Sequence, residues 1–336
     1  MIISGRDLTR ERLLIAEIGN NHEGDSKLAL ELASAAAEAG ADVIKVQLID
    51  PERLVNISQI QRIEQLAHFQ LSMQTFEEMA QVAHSKGALF MASAFDVDSL
   101  DAIAPLLDGV KIASGDLDFH LLLIKAASYG KPIILSTGMS TIAEIKASVD
   151  VIASSLNSGL LADQLALLHC VSLYPTSLAD ANLRVIQTLR QTFDLTVGYS
   201  DHTLGIESAV ASLSLGARIV EKHFTLDKTR TTFRDHALSA DPDDMRRLAD
   251  VIHQYETMLG TGDKNISEAE AQMGTAARRS IVAARDLATG TKLTADDLDC
   301  IRPRNGLPPS TISSVVGKKL LLPLKRHDVL LIENVE

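Results

Sequence analysis

Short apolar runs rich in β-branched residues recur along the chain up to Phe224, and segments with helical periodicity separate them. Near-continuous apolar runs of this length are typical of strands that are buried on both faces of a parallel sheet. The predicted strands are Leu13–Gly19, Asp42–Leu48, Ala88–Phe95, Gly109–Gly115, Pro132–Gly138, Leu165–Val171, Leu195–Asp201 and Ala217–Phe224.

Several of the intervening helical segments end on a glycine just before the next strand, which is a common helix stop signal. The predicted helices are Ser26–Gly40, which begins with a capping residue, Gln74–Gly87, Val97–Leu107, Phe119–Gly130, Thr141–Gly159, Asp180–Thr192, Gly205–Gly216 and Asp241–Gly260. Eight such units over residues 1–260 predict an α/β fold, the (β/α)8 or TIM barrel. A doubly wound open sheet is the structural rival, but no Gly-x-Gly-x-x-Gly follows a predicted strand.

The pattern changes after Gly260. Residues 261–276 are small and polar, and we interpret them as a linker with about one turn of helix. Residues 277–336 hold short, proline-punctuated apolar runs without long helices between them, which indicates a separate small β-rich domain. This tail carries 10 basic and 7 acidic residues, a net of +3, and leaves −15 on the rest of a chain whose total is −12.

Composition narrows the function classes. The acidic balance disfavours binding to nucleic acid or to an anionic membrane surface. Two cysteines are too few for a disulfide scaffold or a cysteine-based zinc site. The first residues lack the features of a signal peptide, and no apolar run reaches the roughly 20 residues that span a bilayer. We therefore expect a cytoplasmic protein with no nucleic-acid or membrane partner.

Polar side chains lie at the carboxyl ends of all the predicted strands. In a TIM barrel these ends carry the active site, so we expect the side chains to converge on one cavity. They are Glu17, Lys45, Gln47, Ser93, Lys111, Ser114, Ser136, Tyr174, His202, Glu221 and His223. Two lysines inside apolar strands are costly to bury without anionic partners, which makes a purely surface role improbable.

Five motifs resemble, in order, those of the sialic acid (N-acetylneuraminate) synthase family. They are Ile15-Ala-Glu-Ile-Gly-Asn-Asn-His-Glu-Gly, Lys111-Ile-Ala-Ser-Gly-Asp, Ile134-Leu-Ser-Thr-Gly-Met, Tyr199-Ser-Asp-His-Thr and Glu221-Lys-His-Phe-Thr. The tail resembles the antifreeze-like (SAF, β-clip) domain that closes members of that family. The resemblance implies a phosphoenolpyruvate (PEP)-dependent, carbon–carbon bond-forming transferase. Such an enzyme joins PEP to an N-acetylated amino sugar, giving a nine-carbon 2-keto acid and phosphate.

The resemblance also implies residue roles. The catalytic residues would be Glu17, Lys45 and Asp235; PEP would be bound by Lys45, Ser93, Lys111, Ser114, Ser136 and Ser200. The sugar would contact Gln47, Tyr174, Glu221, Asp235 and Arg302, and a divalent metal, Mn²⁺ by preference, would be held by His202 and His223. In the family an arginine of the tail reaches the partner's site, which implies a domain-swapped homodimer in which Arg302, or nearby Arg304, makes that contact.

Ser172 and Asp116 stand where asparagine and glutamate are common in the family, and these departures bear on the sugar. Synthases of legionaminic acid, pseudaminic acid or spore-coat polysaccharide precursors are therefore alternatives to a sialic acid synthase. A Schiff-base aldolase that uses Lys45 or Lys111, and a non-catalytic sugar-binding protein, are further alternatives, although an aldolase would leave the two histidines unexplained.

Overall fold

The computed structural model describes residues 1–157 and 159–336, apart from the side chain of residue 234. The chain forms two compact units, Met1–Gly260 and Thr261–Glu336. In the described residues no helix is both long enough and apolar enough to cross a membrane.

The first unit begins with a hairpin, β1 (Ile2–Ile3) and β2 (Arg6–Asp7), and continues as a closed parallel barrel of eight strands. The barrel strands are β3 (Leu13–Gly19), β4 (Val43–Leu48), β5 (Leu89–Ala94), β6 (Gly109–Ile112), β7 (Ile133–Ser136), β8 (Leu165–Cys170), β9 (Thr196–Asp201) and β10 (Ile219–His223). Each pairs with its neighbours in chain order, and β10 closes the ring on β3. The predicted TIM barrel is confirmed.

The helices of this unit surround the barrel, and some of them also line the cavity at the carboxyl ends of the strands. They are α1 (Ser26–Glu38), α2 (Pro51–Leu54), α3 (Ile60–Ala67), α4 (Met73–Ser85), α5 (Val97–Ile103), α6 (His120–Ser128), α7 (Ile142–Ser155), α8 (Leu161–Gln164), α9 (Val185–Phe193), α10 (Glu207–Ser214), α11 (Arg234–Leu238) and α12 (Pro242–Leu259). The cap of α1 is Asp25, whose carboxylate accepts from two backbone N–H groups, and not Ser26. The predicted helix over Thr141–Gly159 is shorter than expected, because α7 ends at Ser155 and Leu156 is extended; residue 158 lies outside the described residues.

Two apolar clusters hold the barrel together. The larger one lies between the strands and the surrounding helices. The smaller one fills the barrel interior at the amino ends of the strands and includes Ile15, Val43, Met91, Ile134 and Ile219. Met1, Ile3 and Leu8 belong to the smaller cluster, so the N-terminal hairpin packs against the amino end of the barrel interior.

The second unit has its own core and contains α13 (Glu268–Ala277), β11 (Ser280–Ala283), β12 (Leu298–Ile301) and α14 (Ile312–Val315). The strands β11 and β12 pair antiparallel, and isolated bridges such as Leu287 with Leu324 extend the β structure. The ten-residue helix α13 lies largely in the segment predicted as a linker with one turn of helix. It begins at a Ser267 cap and buries none of its residues.

Candidate active site

A cavity of about 860 Å³ opens at the carboxyl ends of the barrel strands. Every barrel residue that the sequence predicted for the site lines it. These residues are Glu17, Lys45, Gln47, Ser93, Lys111, Ser114, Ser136, Tyr174, Ser200, His202, Glu221, His223 and Asp235. Arg302, the remaining predicted residue, belongs to the second unit, where it is exposed.

Four buried charged side chains form the floor of the cavity. Lys45 Nζ lies 2.6 Å from Glu17 Oε2 and 3.7 Å from Glu221 Oε2. Lys111 Nζ lies 3.7 Å from Glu221 Oε1 and donates to Ser136 Oγ at 2.7 Å. Two lysines and two glutamates balance one another, which is how the barrel accommodates charges that would be prohibitive to bury alone.

The environment shifts the pKa values of this group in different directions. Burial raises the pKa of Glu17 more than the nearby Lys45 ammonium lowers it. Burial also raises the pKa of Glu221, but the Lys111 and Lys45 charges outweigh it and hold that pKa well below its usual range. Burial lowers the pKa of Lys111, whereas the pKa of Lys45 is raised because Glu17 and Glu221 outweigh the same effect.

Hydroxyl groups surround the lysines. Ser200 Oγ donates to Glu221 Oε1 at 2.8 Å, and Ser114 Oγ accepts from the Gly138 N–H at 2.9 Å. Ser114 Oγ also lies 3.0 Å from Cys170 Sγ. Ser93 Oγ is buried and finds no hydrogen-bond partner among the described residues, so it is free to bond to a ligand.

The two predicted metal ligands lie side by side. The rings of His202 and His223 have centroids 5.5 Å apart, and the Tyr174 ring lies 4.2 Å from His202. His202 Nδ1 lies 2.8 Å from the Val171 carbonyl oxygen. A carbonyl oxygen can only accept, so Nδ1 must carry the proton, and in the neutral ring Nε2 then has a lone pair for a metal. Buried Nδ1 of His223 has no hydrogen-bond partner within the described part of the chain. Burial lowers the pKa of both histidines, which favours the neutral form that binds metals.

These histidines fit a divalent cation as two of its ligands. Among the described residues no group of three or more His, Cys, Asp or Glu side chains is arranged to hold a metal ion. A cation at His202 and His223 would therefore take its remaining ligands from substrate and water, as an open catalytic site requires.

The sequence predicted only part of the cavity mouth, namely the segment around Asp235 that follows the eighth barrel strand. One wall comes from residues 49–69, including Leu54 in α2 and Arg62 and Leu66 in α3. A second wall comes from Thr231, Thr232 and Phe233, which directly precede α11 and its Asp235. The rings of Phe69 and Phe233 lie 5.0 Å apart and join the two walls. No motif identified the residues of the first wall.

The structure also places the other residues that the sequence singled out, namely Gln47, Asp116, Arg302 and Arg304. Gln47 Nε2 donates to Glu17 Oε1 at 2.7 Å, and Gln47 Oε1 accepts from Asn20 Nδ2 at 3.2 Å, so Gln47 orients the glutamate. Asp116 is buried beside the site but does not line the cavity, and burial raises its pKa to about 6.

In the second unit Arg304 is half-buried, and its backbone N–H donates to the Thr275 carbonyl at 2.8 Å. Arg302 is the more exposed of the two arginines.

Comparison with known proteins matches residues 32–264 to the NeuB family and residues 278–336 to the SAF domain. An N,N'-diacetyllegionaminic acid synthase of Legionella pneumophila is 39% identical over 96% of this chain and 94% of its own. An N-acetylneuraminate-9-phosphate synthase of Mus musculus is 33% identical over 96% and 92%. The crystal structure of an N-acetylneuraminic acid (sialic acid) synthetase from Leptospira borgpetersenii superposes with a TM-score of 0.72 at 33% identity, covering 78% of this chain and 90% of that one.

The relatives and the solved structure are sugar-acid synthases, and both family matches agree with the motifs and with the barrel and tail architecture. They confirm the prediction of an enzyme of the sialic acid synthase type. The chain belongs to the NeuB family and ends in a SAF domain.

Proposed function

We propose that the protein condenses PEP with an N-acetylated hexosamine, N-acetylmannosamine or a relative, to form a nine-carbon 2-keto acid and phosphate. The observation that carries the proposal is the cavity floor, where two buried lysines and several hydroxyl groups lie beside two buried histidines. Phosphate and carboxylate groups need cations and hydrogen-bond donors, and the floor offers both.

The donors suit the anionic groups of PEP. Lys111 Nζ and Ser136 Oγ are within 2.7 Å of each other, so both can bond to one phosphate or carboxylate. Ser93, whose hydroxyl has no partner among the described residues, lies on the neighbouring strand opposite Lys111. Since Lys45 and Lys111 are already balanced by Glu17 and Glu221, a highly charged substrate requires further positive charge in the cavity.

A divalent cation, Mn²⁺ by preference, would supply that charge at His202 and His223. When bound, such a cation acts as a Lewis acid that polarises the aldehyde oxygen of the acceptor sugar. The hydrogen bond from His202 Nδ1 to the Val171 carbonyl orients the His202 ring so that Nε2 can bind the cation, and the Tyr174 ring packs against the His202 ring.

Glu17 is the candidate for proton transfer to or from the water that adds to C2 of PEP. Burial raises the pKa of Glu17 toward neutral pH, where a general base or acid works best. Lys45 and Gln47 hold its two oxygens in place. Asp235, from α11 at the cavity mouth, and Glu221 would contact the sugar.

The acceptor would lie in the outer half of the cavity. Leu54, Leu66, Phe69 and Phe233 give this half an apolar wall, which suits the methyl of an acetamido group. The 39% identity with the N,N'-diacetyllegionaminic acid synthase favours a diacetamido sugar as the second candidate acceptor. Pseudaminic acid and spore-coat precursor synthesis remain within the same proposal, since they differ only in the sugar.

Turnover with a panel of acceptors tests the proposal. Phosphate release from PEP is measured with N-acetylmannosamine, its 6-phosphate, and 2,4-diacetamido-6-deoxy sugars, with and without Mn²⁺ and with excess chelator. We expect metal-dependent release of phosphate together with a 2-keto acid product. Phosphate release that needs no acceptor, or trapping of a lysine adduct by borohydride with a keto acid, would contradict the proposal.

We also propose a domain-swapped homodimer of a cytoplasmic enzyme, in which Arg302 completes the partner's site. The net charges, +3 on the tail and −15 on the remainder, are complementary. Mixing two inactive variants, Lys111→Ala and Arg302→Ala, tests the exchange. A swapped dimer should regain part of the activity, because the heterodimer holds one site with both residues intact; a tail that serves its own barrel would regain none.

A further inference from the structure

Two motifs contain residues that the proposed function leaves without a role. Along β9 and the residues that follow it, Ser200 and His202 line the cavity, whereas Asp201 between them does not. In β10, Glu221 and His223 line the cavity and Lys222 does not. Successive side chains of a strand point to opposite faces, so Asp201 and Lys222 lie on the outer face of the barrel wall.

These outward residues form one buried network. Lys222 Nζ donates to Asp201 Oδ2 at 2.9 Å, and both side chains are completely buried. The other carboxylate oxygen accepts from the backbone N–H of Thr203 at 2.9 Å, from Thr203 Oγ1 at 2.8 Å and from the Tyr199 hydroxyl at 3.2 Å. Lys222 Nζ also donates to the Thr203 carbonyl oxygen at 2.5 Å.

Stability alone does not call for this pair. Its surroundings are the apolar layer between strands and helices, to which Tyr199 and Phe224 belong. A buried ion pair loses solvation in such a layer, and apolar residues of similar volume are often equally stabilising. What the pair adds is geometric specificity, because its hydrogen bonds have fixed lengths and directions.

The geometry constrains the two histidines. Asp201 and Lys222 are register partners on adjacent strands, and Lys222 holds both Asp201 and Thr203, the residues on either side of His202. His223 follows Lys222 directly in the chain. The network thus ties the backbone that carries one imidazole to the backbone that carries the other.

We propose that Asp201 and Lys222 are positioning residues, which set the spacing of His202 and His223 for a divalent cation. The proposal rests on the metal role given above under the proposed function. It assigns the pair no contact with substrate, because it acts through the strand ends.

The test is the Mn²⁺ affinity of the Asp201→Asn/Lys222→Met double variant, measured by electron paramagnetic resonance on the full chain. The double variant removes both charges while keeping similar volumes, so we expect a melting temperature near that of the wild type. Mn²⁺ affinity should fall about tenfold or more, the range typical of losing an outer partner of a metal ligand. Ring-nitrogen NMR of the metal-free protein should show altered signals for both histidines.

The control is Arg6→Met/Asp42→Asn, which removes a second ion pair of the same unit. Arg6 Nη1 lies 2.5 Å from Asp42 Oδ1, and the buried Asp42 carboxylate also accepts from the Leu14 N–H. Asp42 precedes β4, at the amino ends of the barrel strands. This variant should keep the wild-type Mn²⁺ affinity whatever it costs in stability.

Other outcomes decide against the proposal. Wild-type Mn²⁺ affinity in the folded double variant would make the pair purely structural. If that variant does not fold, Thr203→Val and Tyr199→Phe each remove one donor to Asp201, and unchanged affinity in both would overturn the positioning role. A wild-type protein that binds no Mn²⁺ would overturn the metal role and the positioning together, whereas Mn²⁺ binding without condensation would overturn only the proposed reaction.

Discussion

The two ends of the barrel interior are built from the same eight strands but differ in chemistry. At the amino ends the inward side chains are apolar and completely buried. Two residues further along, on the same face of the same strand, they are charged or polar. The pairs include Ile15 and Glu17, Val43 and Lys45, Ile134 and Ser136, and Ile219 and Glu221.

The difference separates stability from chemistry along each strand. The amino-end layer packs against the N-terminal hairpin and contributes burial of apolar surface. The carboxyl-end layer buries less apolar surface, and ion pairs hold its lysines. Some of its polar groups, such as Ser93 Oγ, have no hydrogen-bond partner among the described residues. Substitutions in the two layers should therefore have opposite signatures.

The largest effect is expected for His223→Ala. Loss of this ligand should abolish Mn²⁺ binding and lower kcat by more than about 10³-fold, because a Lewis acid lowers the activation barrier by several kcal/mol. The melting temperature should hold, since the variant removes a buried imidazole whose Nδ1 has no hydrogen-bond partner within the described residues. His253→Ala, at an exposed position of α12, is the matched control. Full activity of His223→Ala, or of the wild type in excess chelator, would contradict the metal assignment.

Lys111→Ala should have the next largest effect. The variant removes one of the two lysines of the cavity floor and leaves Glu221 less compensated, so PEP affinity measured by calorimetry should fall by about 3–5 kcal/mol, more than 100-fold. The exposed Lys146 in α7 provides the control, since Lys146→Ala should bind PEP normally. Unchanged PEP affinity in Lys111→Ala would show that this lysine is structural.

Ile134→Ala tests the opposite layer of the same region. Truncating this completely buried side chain should destabilise the protein by about 2–5 kcal/mol, measured by denaturant unfolding. KM for PEP should change little in the fraction that remains folded. A large change in KM with unchanged stability would show that the two layers are not separable as described.

Ser93→Ala should have the smallest effect. It should lower PEP affinity without lowering the free energy of unfolding. The variant removes a buried hydroxyl that has no hydrogen-bond partner among the described residues, so the free energy of unfolding should stay level or rise. PEP affinity should fall by about 1 kcal/mol, roughly fivefold, if that hydroxyl bonds to the substrate. A loss of stability with normal PEP binding would place Ser93 in the structural layer.

The sequence predicted the floor of the site well because two independent signals coincide there. Apolar runs identified the strands, and polar residues such as Lys45 and Lys111 at their carboxyl ends identified the cavity. The strand ends fall close to prediction; β6, for example, is expected to end at Gly115 and ends at Ile112, where a short 3₁₀ turn over Ser114–Asp116 follows.

The mouth of the cavity and the start of the second unit were harder to predict for physical reasons. The helices α2 and α3 are short, largely exposed and polar, so their apolar period is too brief to stand out. Helix α13 buries no residue and therefore has no apolar face for a pattern to reveal. The Asp201–Lys222 pair was not predicted, because apolar runs locate strands but do not show that charged side chains on the outer face of two adjacent strands meet.

The hairpin at the amino ends has a consequence for the order of events during turnover. With Met1, Ile3 and Leu8 packed into the apolar cluster at that end, the wide passage to the buried lysines is the mouth framed by Arg62, Phe69 and Phe233. A molecule seated in the outer half of such a one-ended chamber blocks the inner half. We therefore expect sequential kinetics, in which the ligand of the lysines enters first and cannot exchange while the second ligand is bound.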